Sequence, residues 1–288
     1  MRSGFSILAA VLAAKSAAAA EDPRLALALA ETARVASVFW RSAPRYTARE
    51  TLNQRALTLP KRRLRIGASA VEPPKPDFAH RETVSAYAFS VLKAAPEALR
   101  EFRQIISVDG KALTSAGEAR IQLRDALGSQ SDKTKKRLLT EFEKANLAVT
   151  ATDFGQLILL FTKTNLAKYS FDLRGSALVG ADRALVVGFR QSAGAESLRV
   201  SEPGIEAREP LTGQLWIREP GFVPLRITLN ASRIEHSKKI RDEARVDYEP
   251  GAGGLILPVS VSFRRFVNDE LLVENIYQYS DWQPDNHP

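Results

Sequence analysis

The chain has no cysteine among its 288 residues, and this absence excludes two kinds of structure. Disulfide bonds are excluded, so a hydrophobic core must hold the fold, and 44% of the residues are hydrophobic. Thiolate metal ligands are excluded too, and only three histidines occur, at His80, His236 and His287. These histidines lie far apart and have no metal-ligand spacing, so we predict no metal site and no cofactor.

Beyond its N-terminus the sequence also lacks a long hydrophobic run of the roughly 18 residues that a membrane helix needs. At the N-terminus, Arg2 precedes an apolar run over Phe5–Ala14, and Ala18–Ala20 supplies small residues at the position of a cleavage site. This order is typical of a secretory signal peptide. We therefore predict that residues 1–20 are a signal peptide and that the remaining chain is periplasmic or secreted. The alternative is an uncleaved amphipathic anchor, because Lys15 interrupts the apolar segment.

Catalytic motifs are absent as well. No Gly-x-Ser-x-Gly segment occurs, and the kinase-like tripeptide Asp153-Phe154-Gly155 has neither a glycine-rich loop nor a catalytic-loop motif with it. The acidic pairs Asp242-Glu243 and Asp269-Glu270 lie beside strands, where solvated strand ends explain them better than acid-base chemistry. We therefore predict that the protein is not an enzyme.

The charge balance is moderately basic, with 41 Lys and Arg against 33 Asp and Glu. The basic residues are scattered, apart from clusters at Lys61–Arg65 and Lys133–Arg137. Nucleic acid is not the expected partner of an exported protein. A basic surface is attracted to anionic lipid headgroups, by about 1 kcal/mol per cation near the membrane. The loop that carries Lys61–Arg65 is either solvated or faces such headgroups.

Strand and helix patterns alternate over the first part of the chain. Asp22-Pro23 is typical of a helix start, and Ser115 with Glu118 has the spacing of a capping box. Thr152 or Asp153 is the expected cap of a further helix, whose apolar residues recur at i, i+3, i+4 and i+7. The predicted elements are helices over Arg24–Trp40, Ser115–Leu127, Asp132–Leu147 and from Thr152 or Asp153 through Phe161, strands over Arg45–Leu59, Thr83–Leu92 and Phe102–Val108, and a proline-rich loop or lid over Pro60–His80.

From Lys168 onward, apolar residues alternate with polar ones, which is typical of one-sided antiparallel strands. Asn268-Asp269 is the expected turn of the last hairpin. We predict an α+β fold in which a curved antiparallel sheet, a half-barrel-like meander, wraps around a few helices. It forms a single domain over 21–282, with a helical insertion at about 115–165 and a flexible tail over 283–288. The predicted late strands contain Tyr169–Leu173, Leu185–Phe189, Leu215–Ile217, Val223–Leu229, Leu255–Arg265 and Leu271–Trp282.

The apolar face of such a sheet has two interpretations. A concave sheet that helices fill only in part leaves a cavity for a lipid or an acyl chain. The same residues also suit an ordinary closed core. The residue pattern alone leaves both interpretations open.

One segment carries a family resemblance. Gly213–Arg218, followed by Gly221–Ile227, resembles the periplasmic lipoprotein-carrier family, the LolA-like proteins, in which a Gly-x-x-Pro-Leu-Arg strand belongs to a half-barrel meander. The opening helix and the strand that begins near Tyr46 are similar too. The resemblance implies a lipid or a lipidated protein as partner, held on the concave apolar face. It implies an apolar ligand-binding site at Phe161, Phe189, Leu225, Ile227, Val259, Val261 and Phe263, whereas Trp216 lies on the opposite face.

We therefore expect an exported lipid- or lipoprotein-binding protein that sequesters acyl chains without covalent chemistry. The alternative is an interaction or regulatory module of the cell envelope, with a closed core, a protein partner and no lipid ligand.

Overall fold

The computed structural model describes residues 22–58, 77–129, 131–148, 152–192, 205–208 and 210–285, with only the backbone described at 205–208. The predicted signal peptide, the basic segment 61–65 and most of the predicted proline-rich loop lie outside these residues. The described helices are α1 Pro23–Ser42, α2 Ala116–Gly128 and α3 Asp132–Ala145. The described strands are β1 Tyr46–Thr58, β2 Asp77–Leu92, β3 Ala95–Val108, β4 Lys111–Ala112, β5 Tyr169–Val179, β6 Asp182–Gln191, β7 Ile205–Arg208, β8 Thr212–Arg218, β9 Val223–Glu235, β10 Lys238–Pro250, β11 Ile256–Val267 and β12 Glu270–Pro284.

The strands form one open antiparallel sheet in the order β4-β3-β2-β1-β12-β11-β10-β9-β8-β6-β5, with β7 beside β9. Strand β12 returns beside β1, and Leu52 pairs with Tyr277. This pairing joins the first three long strands to the later meander in one continuous surface. The predicted α+β half-barrel is confirmed.

The sheet buries side chains on both of its faces, which we call inner and outer. On β2, Tyr87 and Phe89 point to the inner face, while Val84 and Ala86 point to the outer face. Helix α1 covers the inner face, together with residues 152–168, which we call the cover segment. Helix α2 and the first part of α3 pack on the outer face of β2 and β3 instead, whereas Phe142, near the end of α3, belongs to the inner-face cluster. A strand that is apolar on both faces buries a layer on each side. The outer layer is helical, and on its inner face the sheet wraps mainly around one α-helix, α1.

Local sequence signals account for the helix ends. The Asp22 carboxylate accepts a hydrogen bond from the Arg24 backbone N–H at the start of α1. The Ser115 hydroxyl accepts one from the Glu118 N–H at the start of α2. Inside α1, the buried hydroxyl of Thr32 donates to the Ala28 carbonyl at 2.7 Å, so this polar side chain needs no other partner. The helices predicted from Arg24, Ser115 and Asp132 are confirmed.

The predicted helix through Phe161 is wrong. Asp153 has a φ of +70°, outside the helical region, and only a short 3-10 helix follows over Leu157–Phe161. The carboxylate of Asp153 does not cap this segment, because it accepts a hydrogen bond from the Glu101 backbone N–H across the sheet. A tertiary contact has replaced the local cap here.

Two strand predictions also need correction. The predicted loop ends too late, because β2 begins at Asp77, and Asp77 pairs with Thr58 of β1. Strand β10 was not predicted, because its inward residues include an aspartate and its outward ones are charged. Its pairing with both β9 and β11 makes it a central strand despite this composition.

Candidate functional site

The inner face holds the main apolar cluster, and this cluster contains five of the seven predicted ligand-binding residues. The ring of Phe161, from the cover segment, meets the ring of Phe189 edge-on with centroids 5.0 Å apart. The sheet and the cover segment therefore interlock through aromatic side chains. The five residues, each no more than 3% exposed, are Phe161, Phe189, Ile227, Val261 and Phe263.

The other two predicted residues, Leu225 and Val259, lie at irregularities of the sheet. The register between β8 and β9 shifts next to Leu225, and the register between β10 and β11 shifts next to Val259. Neither residue belongs to the inner apolar cluster, although Leu225 is only 4% exposed. A β-bulge disturbs the alternation of faces, so counting by twos does not assign these two side chains.

A single carboxylate fastens the start of the cover segment to the sheet. Glu101 of β3 accepts hydrogen bonds from the backbone N–H of Asp153 at 3.0 Å and of Gly155 at 2.7 Å. The Asp153 carboxylate in turn accepts from the Glu101 N–H at 2.9 Å and pairs with Arg100 at 3.0 Å. We call this arrangement of Glu101, Asp153 and Gly155 the latch.

Gly155 allows the cover segment to approach the sheet closely. A Cβ atom at this position would lie 2.8 Å from Glu101 Oε1, 2.8 Å from the Tyr87 hydroxyl and 3.2 Å from Pro258 Cγ. A side chain at this position would have to displace Glu101 or Tyr87, so the close approach of the latch favours glycine here.

A buried ion cluster supports the latch from the sheet side. Arg103 donates to Glu50 through Nε and Nη2, and to Glu101 through Nη2, each at 2.7 Å. All three side chains are at most 2% exposed, and the guanidinium also lies over the Phe142 ring at 4.5 Å. One cation thus neutralises part of the charge of two carboxylates inside the fold. Burial raises the pKa of Glu50, and the neighbouring Arg103 lowers it less.

The Asp153 carboxyl group of the latch has a raised pKa. Burial, followed by the negative charge of Glu101, raises the pKa of Asp153 to about 6. The nearby Arg100 and Arg103 oppose this rise. The latch therefore changes its charge in a mildly acidic range.

The inner face also has a polar half, formed by β1, β2, β3 and β12. Gln54 donates to Asn275 at 2.8 Å and accepts from the Leu147 N–H at 2.5 Å. Thr83 Oγ1 and Ser85 Oγ are buried without a hydrogen-bond partner among the described residues. A buried apolar chain would lie against these polar groups, which disfavours this part of the inner face as its site.

The acidic pair Asp242-Glu243 is not a solvated strand end, which corrects the sequence interpretation. Asp242 is only 7% exposed and accepts hydrogen bonds from Arg233 at 2.8 Å and from Arg265 at 2.8 Å. It lies on the inner side of β10, where two arginines from neighbouring strands converge. Its role there is to balance buried charge.

A second feature is an open groove of about 800 Å³ on the outer face of β5 to β11. Trp216 lines this groove, and Arg226 lies over its indole at 5.8 Å. The structure therefore places Trp216 on the outer face, as predicted. We call this feature the outer groove. Its lining includes four arginines and two carboxylates: Arg174, Arg190, Arg245, Arg264, Asp172 and Glu243.

No protein-family model matches the chain, and no curated protein matches it. Solved structures do. A LolA superfamily protein from Nitrosomonas europaea matches with a TM-score of 0.28 and 10% identity, over 91% of this chain and 94% of that chain.

Two further solved structures match at a similar level. A DUF1329 family protein from Desulfovibrio piger has a TM-score of 0.33 and 11% identity, over 91% of this chain and 94% of that one. A Vibrio parahaemolyticus protein, described as an outer membrane lipoprotein-sorting protein domain, has a TM-score of 0.30 and 8% identity, over 90% and 92%. No helix among the described residues is long and apolar enough to cross a membrane.

The latch was not predicted from the sequence, although a signal for it exists. Leu99, Glu101 and Arg103 alternate along β3, so an inward leucine implies two inward charges. Buried charges need partners, and Asp153-Phe154-Gly155 offers backbone N–H groups next to a glycine. The sequence interpretation took that tripeptide as a chance match to a kinase motif, and Thr152 or Asp153 as a helix cap.

Proposed function

We propose that this protein is an exported carrier or sensor that binds the acyl chain of a lipid or lipidated protein on its inner face. The binding site is the apolar half of that face, beneath the cover segment. No covalent chemistry is involved. In this proposal, residues 21–282 form one periplasmic domain after removal of the signal peptide.

The construction of the cover supports this proposal. The part of the cover segment that fills the inner face contains two short 3-10 helices, Leu157–Phe161 and Leu166–Lys168, and no α-helix. Short 3-10 helices have poorer hydrogen-bond geometry than α-helices. The latch holds the start of the segment, and the Gln156 side chain and the Ile158 N–H add hydrogen bonds to the Leu99 carbonyl and the Tyr248 hydroxyl. In this proposal these few contacts break before Phe161 leaves the sheet. This arrangement is the single observation on which the proposal rests.

The energetics are consistent with an exchange between the cover and a ligand. An acyl chain gains roughly 25 cal/mol for each Å² of apolar surface it buries. In the closed structure Phe161 and its neighbours already bury this surface, so the ligand must displace them. The net affinity then depends on how much more apolar surface the ligand buries than the cover segment did, less the cost of ordering the ligand.

The alternative function is a protein-interaction module of the cell envelope with a permanently closed core. The observation that favours it is the complete burial of Phe161 and Val261. In that case the cover segment is a structural layer and never moves.

The first experiment is to purify the protein from the periplasm of an expression host and analyse its organic extract by mass spectrometry. Stoichiometric acyl chain supports the proposed function. An empty protein that also fails to bind added palmitate supports the closed-core alternative.

A second experiment measures movement of the cover and uses the absence of cysteine. Lys163→Cys in the cover segment and Asn53→Cys on the outer side of β1 are both exposed positions for spin labels. We expect their separation, measured by electron-electron resonance, to increase when palmitate binds. The control pair, Lys111→Cys with Asn53→Cys, lies outside the cover and keeps its distance. If palmitate binds but the distance between the labels at positions 163 and 53 does not change, the ligand binds outside the space beneath the cover segment.

A further inference from the structure

The outer groove is built from the regular cross-strand rows of the sheet. In the register, Asp172, Gly188, Gln214, Thr228, Arg245 and Ser262 form one row of direct neighbours across six strands. The next row is Ser170, Arg190, Thr212, Asn230, Glu243 and Arg264. Every member of the two rows except Gly188 lines the groove. At a strand spacing of about 4.8 Å, six strands give a trough about 24 Å long.

The lining of this trough is polar, which determines the class of ligand. Hydroxyl and amide side chains outnumber the charged side chains in the two rows. Hydroxyl groups and amide groups can each donate and accept hydrogen bonds. An apolar ligand would cut these groups off from water, at a cost of about 1–3 kcal/mol for each group left without a partner. The lining therefore suits a ligand that both donates and accepts hydrogen bonds, as a hydroxyl-rich molecule does.

The charges of the trough favour a ligand with acidic groups. Arg190 is exposed and forms no ion pair with another described residue. Arg264 pairs with Glu274 at 2.7 Å and Arg245 pairs with Asp247 at 2.7 Å, yet both guanidinium groups also line the trough. Guanidinium groups form paired hydrogen bonds with carboxylates and phosphates. Arg174 is paired as well, with Asp172, so Arg190 is the lining arginine without an ion pair to a described residue and supplies the positive charge of the trough.

The other groups of the trough favour an acidic sugar over other anionic ligands. The carboxylates of Asp172 and Glu243 are paired with Arg174 and Arg241. Their remaining lone pairs can accept hydrogen bonds from sugar hydroxyls but repel an acidic peptide, whose side chains only accept. A nucleic acid needs a cation for many of its phosphates, and most of these arginines are already paired. Trp216 also lines the trough, where Arg226 lies over its indole at 5.8 Å.

We propose that the outer groove binds an anionic oligosaccharide. Arg190 faces an acidic group of the sugar, and the side chains of Gln214 and Asn230 face its hydroxyl groups. The sheet separates this groove from the inner face, so the proposal does not rest on acyl-chain binding.

The test is isothermal titration calorimetry with tetragalacturonate as the probe, and with maltotetraose as the uncharged probe of equal ring number. We expect tetragalacturonate to bind more tightly than maltotetraose and to lose affinity when salt is raised. Arg190→Gln should weaken binding about tenfold, the effect of one lost charge-assisted hydrogen bond. The matched control is Arg183→Gln, an exposed arginine on the same strand outside the groove, which should leave affinity unchanged.

Four results would overturn the proposal. They are the absence of binding heat at millimolar tetragalacturonate, equal affinity for maltotetraose, an equal loss in Arg183→Gln, and tighter binding of a hexaglutamate peptide or a hexathymidine strand. The last result would assign the groove to acidic peptides or to single-stranded nucleic acid. Both variants change exposed side chains, so circular dichroism should show an unchanged fold.

Discussion

The backbone N–H of Gly155 donates a 2.7 Å hydrogen bond to Oε1 of Glu101, a residue 54 positions earlier in the chain. The other oxygen of the same carboxylate accepts from the Asp153 N–H and from Arg103. One side chain of β3 thus fastens the cover segment and anchors a buried cation. Changes at this carboxylate or at its partners should alter both the stability of the fold and access to the inner face.

Gly155→Ala should loosen the cover. Its Cβ would lie 2.8 Å from Glu101 Oε1 and from the Tyr87 hydroxyl, so the segment must shift away from the sheet. We expect the free energy of unfolding, measured by urea denaturation, to fall by about 1–3 kcal/mol. The control is Gly117→Ala in α2, where a Cβ meets nothing within 4 Å and no loss is expected. Equal stability of the two variants would show that the latch does not need close approach at this glycine.

Gly213→Ala should be more damaging than Gly155→Ala. Its Cβ would lie 2.0 Å from the Thr228 backbone oxygen and 2.6 Å from Cζ of Phe189. Backbone atoms of a central strand pair cannot move aside as a flexible side chain does. We expect a loss of about 3 kcal/mol or more in thermal or urea unfolding, and poor recovery of folded protein. A variant of native stability would contradict the close packing of Phe189 beneath β8.

Stability should depend on pH through Asp153. Its pKa is raised to about 6 in the folded protein, against an ordinary value of 3.8. Between these values the folded state binds more protons than the unfolded state, so this contribution to stability is complete below about pH 4 and is lost as pH rises through about 6. Relative to Asp153→Asn, the wild type should therefore gain stability as pH falls from 7 to 4, measured by urea denaturation at each pH.

Asp132→Asn serves as a control of opposite sign for that experiment. Hydrogen bonds from the backbone N–H groups of Lys93 and Ala94 lower the pKa of Asp132, although its burial opposes them. Its contribution is therefore present above the ordinary pKa and is lost as pH falls. A wild-type advantage over Asp153→Asn that is independent of pH would contradict the proposed titration.

Arg103→Leu should destabilise the protein strongly. The substitution leaves Glu50 and Glu101 buried without their shared cation, and removal of one partner of a buried ion pair costs about 3–5 kcal/mol. Adding Glu50→Gln to this variant should restore part of the loss, because one uncompensated charge is removed. Urea denaturation of the wild type, both single variants and the double variant gives the coupling energy. Additive effects would contradict a direct interaction between the two side chains.

Local signals in the sequence predicted much of the secondary structure. Ser115 caps α2 through the Glu118 N–H, as the capping-box spacing predicts. Asn268-Asp269 has the positive φ values, +50° and +66°, of a tight hairpin turn. Strand β10 was missed, because its buried aspartate is paired with Arg233 and Arg265 from other strands and no local pattern shows that pairing.

The candidate sites were less predictable for the same reason. Phe161 and Val261 were predicted to lie on the apolar face, and both lie in the inner cluster. Whether they ever meet a ligand stays a prediction. The outer groove was not predicted, since its rows join residues such as Asp172 and Arg245 that meet only through four intervening strand pairings.

The sequence by itself therefore determined the elements, because helix caps, turn residues and apolar periods act over a few neighbouring residues. It also determined the one-sided character of most strands and the absence of disulfide support. Only the tertiary structure decided which layer covers which face, that Glu101 fastens Gly155, and that polar rows of six strands line one groove. Those features depend on strand order and register, through which residues far apart in the chain become neighbours.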